Sequence, residues 1–114
     1  MAGTPRGLIV SDLAAAEFAS ALAVRFRART LSEAEVRNGL LLFDTWQRVS
    51  ATSEEVLSVD IRDAGRIIRT LEHALKTPDA THIVIARRLG AALATFDVTM
   101  AREARRLGLT VAGT

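Results

Sequence analysis

The chain has 114 residues, of which 49% are hydrophobic and 25% are charged, a composition that predicts one globular domain over residues 1–114 and excludes a disordered tail. Fifteen Lys and Arg against thirteen Asp and Glu give a formal net charge of +2, which permits nucleic-acid binding without requiring it. The absence of Cys excludes disulfides and thiolate zinc sites, and no apolar run is long enough to span a membrane, so a cytoplasmic protein is expected.

The N-terminal half of the chain predicts strands at its two ends and two helices between them. Ser11 and Asp12 follow a short apolar run and are both good helix starters. Ser32 with Glu35 three residues later forms a capping box, which marks the start of the second helix. The predicted elements of this half are a strand at 7–10, helices at 12–29 and 32–49, and a strand at 56–59.

The C-terminal half predicts alternating helices and strands. Pro78 lies at a helix start, where its missing N–H costs nothing, and Gly90 and Gly108 each end a helix. The predicted elements of this half are helices at 61–75, 80–89 and 97–107, and strands at 91–96 and 109–112. Strands separated by helices predict an α/β fold with a mainly parallel sheet and helices on both of its faces. Such sheets place their functional sites at the carboxyl ends of the strands.

Three carboxylates occupy positions that suit a shared cation site. Glu17 shares a helix face with apolar residues, so it either points toward the packed side or reaches solvent at the edge of that face. Asp79 lies in the first turn of a helix, where the macrodipole stabilises negative charge whatever its role. Asp97 follows the strand predicted at 91–96, where it can cap a helix and also lie at the carboxyl edge of the sheet. His82, one turn after Asp79, is interpreted as a packing or hydrogen-bonding residue.

Carboxylates held close together repel one another unless a divalent cation neutralises them, and Mg²⁺ or Mn²⁺ suits oxygen ligands. Such a cation can lower the pKa of a bound water, orient it toward a phosphodiester and stabilise the charge that develops on the phosphate. Chemistry of this kind needs no Ser, Cys or His nucleophile.

Several segments together resemble the PIN domains of the VapC toxin type. The C-terminal segments are 78–86 (PDATHIVIA), 89–90 (LG), 95–97 (TFD) and 106–109 (RLGL), and the N-terminal one is 11–18 (SDLAAAEF). The resemblance implies a three-layer α/β/α fold in which Glu17, Asp79 and Asp97 hold Mg²⁺ or Mn²⁺ for endoribonuclease activity. It further implies an RNA substrate, a homodimer, and a cognate antitoxin that inserts a segment over the acidic site.

The chain departs from the family pattern at its start. PIN domains begin with a central strand that ends in an aspartate, and residues 1–6 supply neither the strand nor the acid. We expect a chain truncated relative to the family. The alternatives are a partner chain that fills the gap by strand exchange, or Asp12 as a partial replacement for the lost ligand rather than a plain helix-start acid. The competing functional hypothesis is a non-catalytic PIN-like binding module.

Arginines are numerous in the C-terminal half. Arg62, Arg66 and Arg69 fall on one side of the helix predicted at 61–75, and further positive charge comes from arginines at 87, 88, 102, 105 and 106. They form either a solvated face or, in a nuclease, contacts to RNA phosphates that weaken as salt rises. Because aromatic residues are only 4% of the chain, a stacking platform of several exposed rings is not expected.

Overall fold

The computed structural model describes residues 8–113 and forms five helices and four strands from them, which confirms the prediction of an α/β chain. The chain divides after Glu55 into two compact units. Across the described range, no helix has both the length and the apolar character needed to cross a membrane.

The first unit contains strand β1 (Leu8–Ser11), helix α1 (Asp12–Arg27), helix α2 (Glu33–Ser50) and strand β2 (Ala51–Glu54). The two strands pair in parallel, with Leu8 opposite Ala51 and Ser11 opposite Glu54. The Ser32–Glu35 capping box is present, because the Ser32 hydroxyl accepts the Glu35 N–H and the Glu35 carboxylate accepts the Ser32 N–H.

The two helices of the first unit pack through aromatic and small residues. The rings of Phe18 and Phe43 stack with their centroids 4.4 Å apart, and Trp46 extends this cluster at 5.8 Å from Phe43. A Cβ added at Gly39 would lie 3.2 Å from Leu22 Cδ1, so the glycine allows the helices to approach closely. Neither α1 nor α2 contains a buried residue.

The second unit contains helix α3 (Ser58–Arg69), helix α4 (Thr77–Leu89), strand β3 (Leu93–Ala94), helix α5 (Val98–Arg106) and strand β4 (Val111–Ala112). The strands β3 and β4 are parallel and pair over two residues each. Helix α4 is central because both of its faces are covered by apolar residues. One apolar cluster joins α4 to α3, and its buried members are Ala64, Ile67, Ala80 and Val84. The other joins α4 to β3 and α5, and its buried members are Ile83, Ala86, Leu93, Met100 and Ala104.

The strand predicted at 56–59 is wrong, because β2 lies earlier, at the polar residues Ala51–Glu54, and α3 already begins at Ser58. The Leu57 N–H donates to the Asp60 carboxylate at 2.8 Å, a contact that starts the helix at this point. A strand that pairs with one partner and exposes Thr52 and Ser53 needs no run of apolar residues, so its sequence carries no apolar signal.

Three other boundaries also differ from the prediction. Helix α3 ends at Arg69 instead of residue 75, and Leu71 just beyond it adopts a left-handed φ of 61°. The strand predicted at 91–96 is reduced to its central two residues, which form β3, and the strand predicted at 109–112 is reduced to its last two, which form β4. Parallel pairing is confirmed, but the described strands form two separate two-stranded sheets where the sequence predicted one.

Candidate functional site

Asp97 is the N-cap of α5, three residues after the end of β3. Its Oδ1 accepts the Met100 N–H at 2.8 Å, and its own N–H donates to Thr95 Oγ1 at 3.1 Å. Thr95 is in turn fixed to the neighbouring strand, because its N–H donates to the Ala112 carbonyl at 3.1 Å. Asp97 is exposed, and its Oδ2 accepts no hydrogen bond from the residues that the structure describes. Both sequence interpretations hold, since Asp97 caps a helix and also follows the carboxyl end of a parallel strand.

Asp79 is the third residue of α4, in its first turn. Pro78 precedes it inside the helix, and Gly90 ends the helix with a left-handed φ of 64°, as the sequence predicted. Asp79 is half-buried, whereas Ala80 and Thr81 beside it are fully buried. Its carboxylate therefore lies at the boundary between the core of the second unit and solvent.

Glu17 lies on α1 in the first unit, and it is exposed. The expectation that it points toward a packed side is wrong, and its alternative position in contact with solvent is the observed one. The reason is that six of the sixteen residues of α1 are small alanines, so no single strong apolar stripe orients the helix. Asp12 is the first residue of the same helix, next to the N-cap Ser11, which is the position of a helix-start acid.

The three predicted acids are thus divided between the units, with Glu17 in the first and Asp79 and Asp97 in the second. Between residues 8 and 113, no three His, Asp or Glu side chains are grouped so that they could hold a metal ion. The chemistry of the donors suits Mg²⁺ or Mn²⁺, because carboxylate oxygens are hard ligands and one Asp97 oxygen accepts no hydrogen bond from residues 8–113.

Two other carboxylates, which the sequence interpretation missed, are the most deeply buried acids of the second unit. Asp60 is 1% exposed and accepts two bonds from Arg88, from Nε to Oδ1 at 2.8 Å and from Nη2 to Oδ2 at 2.9 Å. The sequence does contain a signal for the burial of Asp60, because Asp60 lies on the same helix face as the buried residues Ala64 and Ile67. The contact joins α3 to α4, so the role of Asp60 is structural.

Glu103 on α5 is the second of these buried acids, at 1% exposure. Its carboxylate accepts the Ala74 N–H at 2.8 Å and a bond from Arg106 at 2.6 Å, and His73 Nδ1 lies 3.7 Å from Oε2. Glu103 therefore anchors the segment between α3 and α4 to α5, through partners about thirty residues away that its local sequence does not reveal.

We expect the protein to lose stability in acid because of these two groups. The Arg88 guanidinium holds the pKa of Asp60 below its ordinary 3.8, against the opposing effect of burial. The Ala74 N–H, followed by Arg106, holds the pKa of Glu103 below its ordinary 4.5. Because the folded pKa values are lowered, the stabilisation is complete above about pH 4.5 and is lost as the pH falls through the folded values.

Urea unfolding between neutral pH and about pH 3 measures this loss as a falling midpoint. Glu103→Gln removes one of the two groups and should make the dependence on pH shallower. A wild-type midpoint that stays constant over this range would contradict the role assigned to the two carboxylates.

The arginines predicted to share one side of α3 do so. Arg62, Arg66 and Arg69 are exposed on the face opposite the buried residues Ala64 and Ile67. Arg66 forms an ion pair with Asp63 on the same helix, which neutralises part of this charge. Arg62 and Arg69 add two further positive charges, so this face of the helix is mainly basic.

Comparison with known proteins identifies one family. No curated protein matches the chain significantly. The family model of the PIN domain matches residues 2–106, which is nearly the whole chain and includes Glu17, Asp79 and Asp97. The chain therefore belongs to the PIN domain family.

Proposed function

We propose that the chain is a Mg²⁺- or Mn²⁺-dependent endoribonuclease and the toxin of a type II toxin–antitoxin pair. The observation that carries the proposal is Asp97, in a chain that matches the PIN domain over residues 2–106. This acid follows a parallel strand, is fixed through one oxygen by the Met100 N–H, and keeps its other oxygen open among the described residues. A carboxylate held in this way is oriented before any ligand arrives, which reduces the entropic cost of binding.

The proposed ligands of the cation are Glu17, Asp79 and Asp97. Asp79 lies in the first turn of α4 and Asp97 caps the start of α5, so both carboxylates lie at helix N-termini. Glu17 is proposed as the third ligand by its correspondence with the acidic glutamate of the family. When bound, the cation supplies an activated water and neutralises charge on the phosphate.

By the same family similarity, we propose that the partners are an RNA substrate, a second copy of the chain in a homodimer, and an antitoxin whose inserted segment covers the acids. The exposed arginines of α3 support a polyanionic substrate, because guanidinium groups bind phosphate well.

Cleavage of a mixed RNA pool by the purified 114-residue chain tests the nuclease. We expect cleavage with Mg²⁺ or Mn²⁺ and none with EDTA. If a folded sample leaves the RNA intact under all conditions, the nuclease proposal fails for this chain.

The second candidate is a PIN-like binding module without a competent metal site. The exposed position of Glu17, on a helix without any buried residue, favours it, because a ligand held in place by packing would suit a metal site better.

Metal binding separates the two candidates without requiring any substrate. A competent site should raise the free energy of unfolding by about 2.7 kcal/mol when the Mn²⁺ concentration is about 100 times Kd. Asp79→Asn should abolish that gain, whereas Asp44→Asn, which changes an exposed acid of α2, should retain it. If Mn²⁺ stabilises neither the wild type nor the variants, the binding module is favoured.

A further inference from the structure

Phe96 is an aromatic ring in solvent directly beside the proposed catalytic acid. It is 87% exposed, compared with 36% to 46% for Phe18, Phe26 and Trp46 in the first unit. It is also the one aromatic residue in the sequence after Trp46. Exposing so large an apolar surface is unfavourable in water, and here it is the ring next to Asp97 that is exposed.

The backbone on both sides of Phe96 is fixed. Thr95 is bonded to Ala112 on β4, its Oγ1 accepts the Asp97 N–H at 3.1 Å and lies 3.8 Å from Met100 Sδ, and Asp97 caps α5. The exposed position of the ring therefore follows from a well-anchored segment rather than from a loose loop.

A bare glycine lies beside the ring. Gly113 has a φ of 95°, and a Cβ added to it would lie 3.0 Å from the Thr95 carbonyl oxygen and 3.6 Å from Phe96 Cε1. Any other residue at 113 would crowd Thr95 and place a side chain against Phe96. The glycine thus keeps this side of the ring uncovered.

Positive charge lies on the exposed side of α5, the helix that Asp97 caps. Val98 is 75% exposed and Arg102, four residues later, is exposed as well, whereas Met100, Glu103 and Ala104 form the buried face. Four residues correspond to about 6 Å along a helix axis, so Val98 and Arg102 lie one turn apart on the same side of α5. The segment from Phe96 to Arg102 therefore carries an exposed aromatic ring, an exposed acid and an exposed cation.

We propose that Phe96 stacks on one base of a single-stranded nucleic acid and that Arg102 contacts a phosphate of the same strand. The inference deepens the proposed function and rests on it for the class of ligand. A nucleobase suits the position because its flat face covers a single ring, and because the residues on either side of Phe96 are the polar Thr95 and the acidic Asp97. A single ring selects no sequence, so the contact positions a strand beside Asp97 without reading it.

Fluorescence anisotropy with a labelled single-stranded RNA of about eight nucleotides, in EDTA, measures binding without cleavage. Phe96→Ala should weaken binding by about 5- to 150-fold, because stacking of one base on an aromatic ring contributes this much. Phe96→Tyr should bind like the wild type. Phe26→Ala, which removes an exposed ring of the first unit, is the matched control and should leave the affinity unchanged.

A tryptophan reporter distinguishes stacking from mere proximity. In the double variant Trp46→Phe/Phe96→Trp, saturating RNA should quench the single tryptophan, whereas an abasic ribose-phosphate chain should bind through its phosphates without quenching it. Unchanged RNA affinity in Phe96→Ala, or no quenching at saturation, would overturn the proposal. Phe96 would then be assigned to contact with a protein partner. Because all measurements are made in EDTA, a chain that fails to cleave RNA can still support this inference, and an active nuclease can still refute it.

Discussion

Asp97→Asn is expected to lower metal-dependent RNA cleavage by about 100-fold or more while leaving the fold as stable as the wild type. Loss of a residue that only supports a metal ligand already costs about 10- to 100-fold, so loss of a charged ligand should cost at least the upper value. Stability should be unchanged because Asn caps a helix as well as Asp does, through the same oxygen to the Met100 N–H. Initial cleavage rates and urea unfolding curves of the same samples measure the two effects.

Two further variants separate the roles of Asp97. Asp97→Ala should lose cleavage and also about 1 kcal/mol of stability, because alanine cannot accept the capping bond. Asp44→Asn, at an exposed position of α2, should change neither quantity. Full cleavage activity in Asp97→Asn would show that this residue is a helix cap and nothing more.

The starts and ends of several helices could be predicted because they depend on bonds between residues close together in the sequence. The Ser32–Glu35 capping box, the Asp97 cap and the left-handed Gly90 are all formed within three or four residues. Such contacts depend on the local sequence and are insensitive to the rest of the fold.

The errors arose where distant partners determine the structure. Strand β2 is polar and exists because its backbone pairs with β1, about forty residues earlier. Helix α3 is shorter than its apolar pattern suggested, because the Ala74 N–H that follows it donates to Glu103 on α5. Neither partner can be identified from the segment itself, and the pattern of side chains gives only a preference that tertiary contacts override.

For the candidate site too, features set by local contacts could be predicted and features set by distant contacts could not. The positions of Asp79 and Asp97 depend on helix starts, and the sequence predicted both. The orientation of Glu17 depends on which face of an alanine-rich helix packs, and here the small side chains give too weak a stripe to decide it. The choice of these three acids came from the family resemblance, because local patterns do not specify which side chains hold a common ligand.

Arg88→Met is expected to cost about 3 kcal/mol of unfolding free energy. Asp60 is 1% exposed, so removal of Arg88 leaves a buried carboxylate with only the Leu57 N–H as a partner among the bonds described above. The value is placed at the low end of the range for buried ion pairs because the Arg88 side chain is 27% exposed, and water can partly replace it. Urea unfolding at neutral pH gives the difference.

The double variant Asp60→Asn/Arg88→Met separates the cost of the unpaired charge from the cost of lost packing. Asn still accepts the Leu57 N–H but carries no charge, so the double variant should recover most of the lost stability. Arg62→Met, on the exposed face of the adjoining helix, should change stability by less than about 0.5 kcal/mol. A double variant no more stable than Arg88→Met would show that shape, and not charge, joins the helices.

The same variants test whether the position of Asp79 in the proposed site depends on the Asp60–Arg88 ion pair. Asp79 lies in the first turn of α4, about ten residues before Arg88, whose ion pair with Asp60 joins α4 to α3. If the pair serves only to hold the fold, Arg88→Met should lower cleavage in proportion to the unfolded fraction, and added Mn²⁺ should restore it by favouring the folded state. A defect that persists in fully folded protein would mean that the pair also sets the position of Asp79, because stability alone could no longer account for the lost activity.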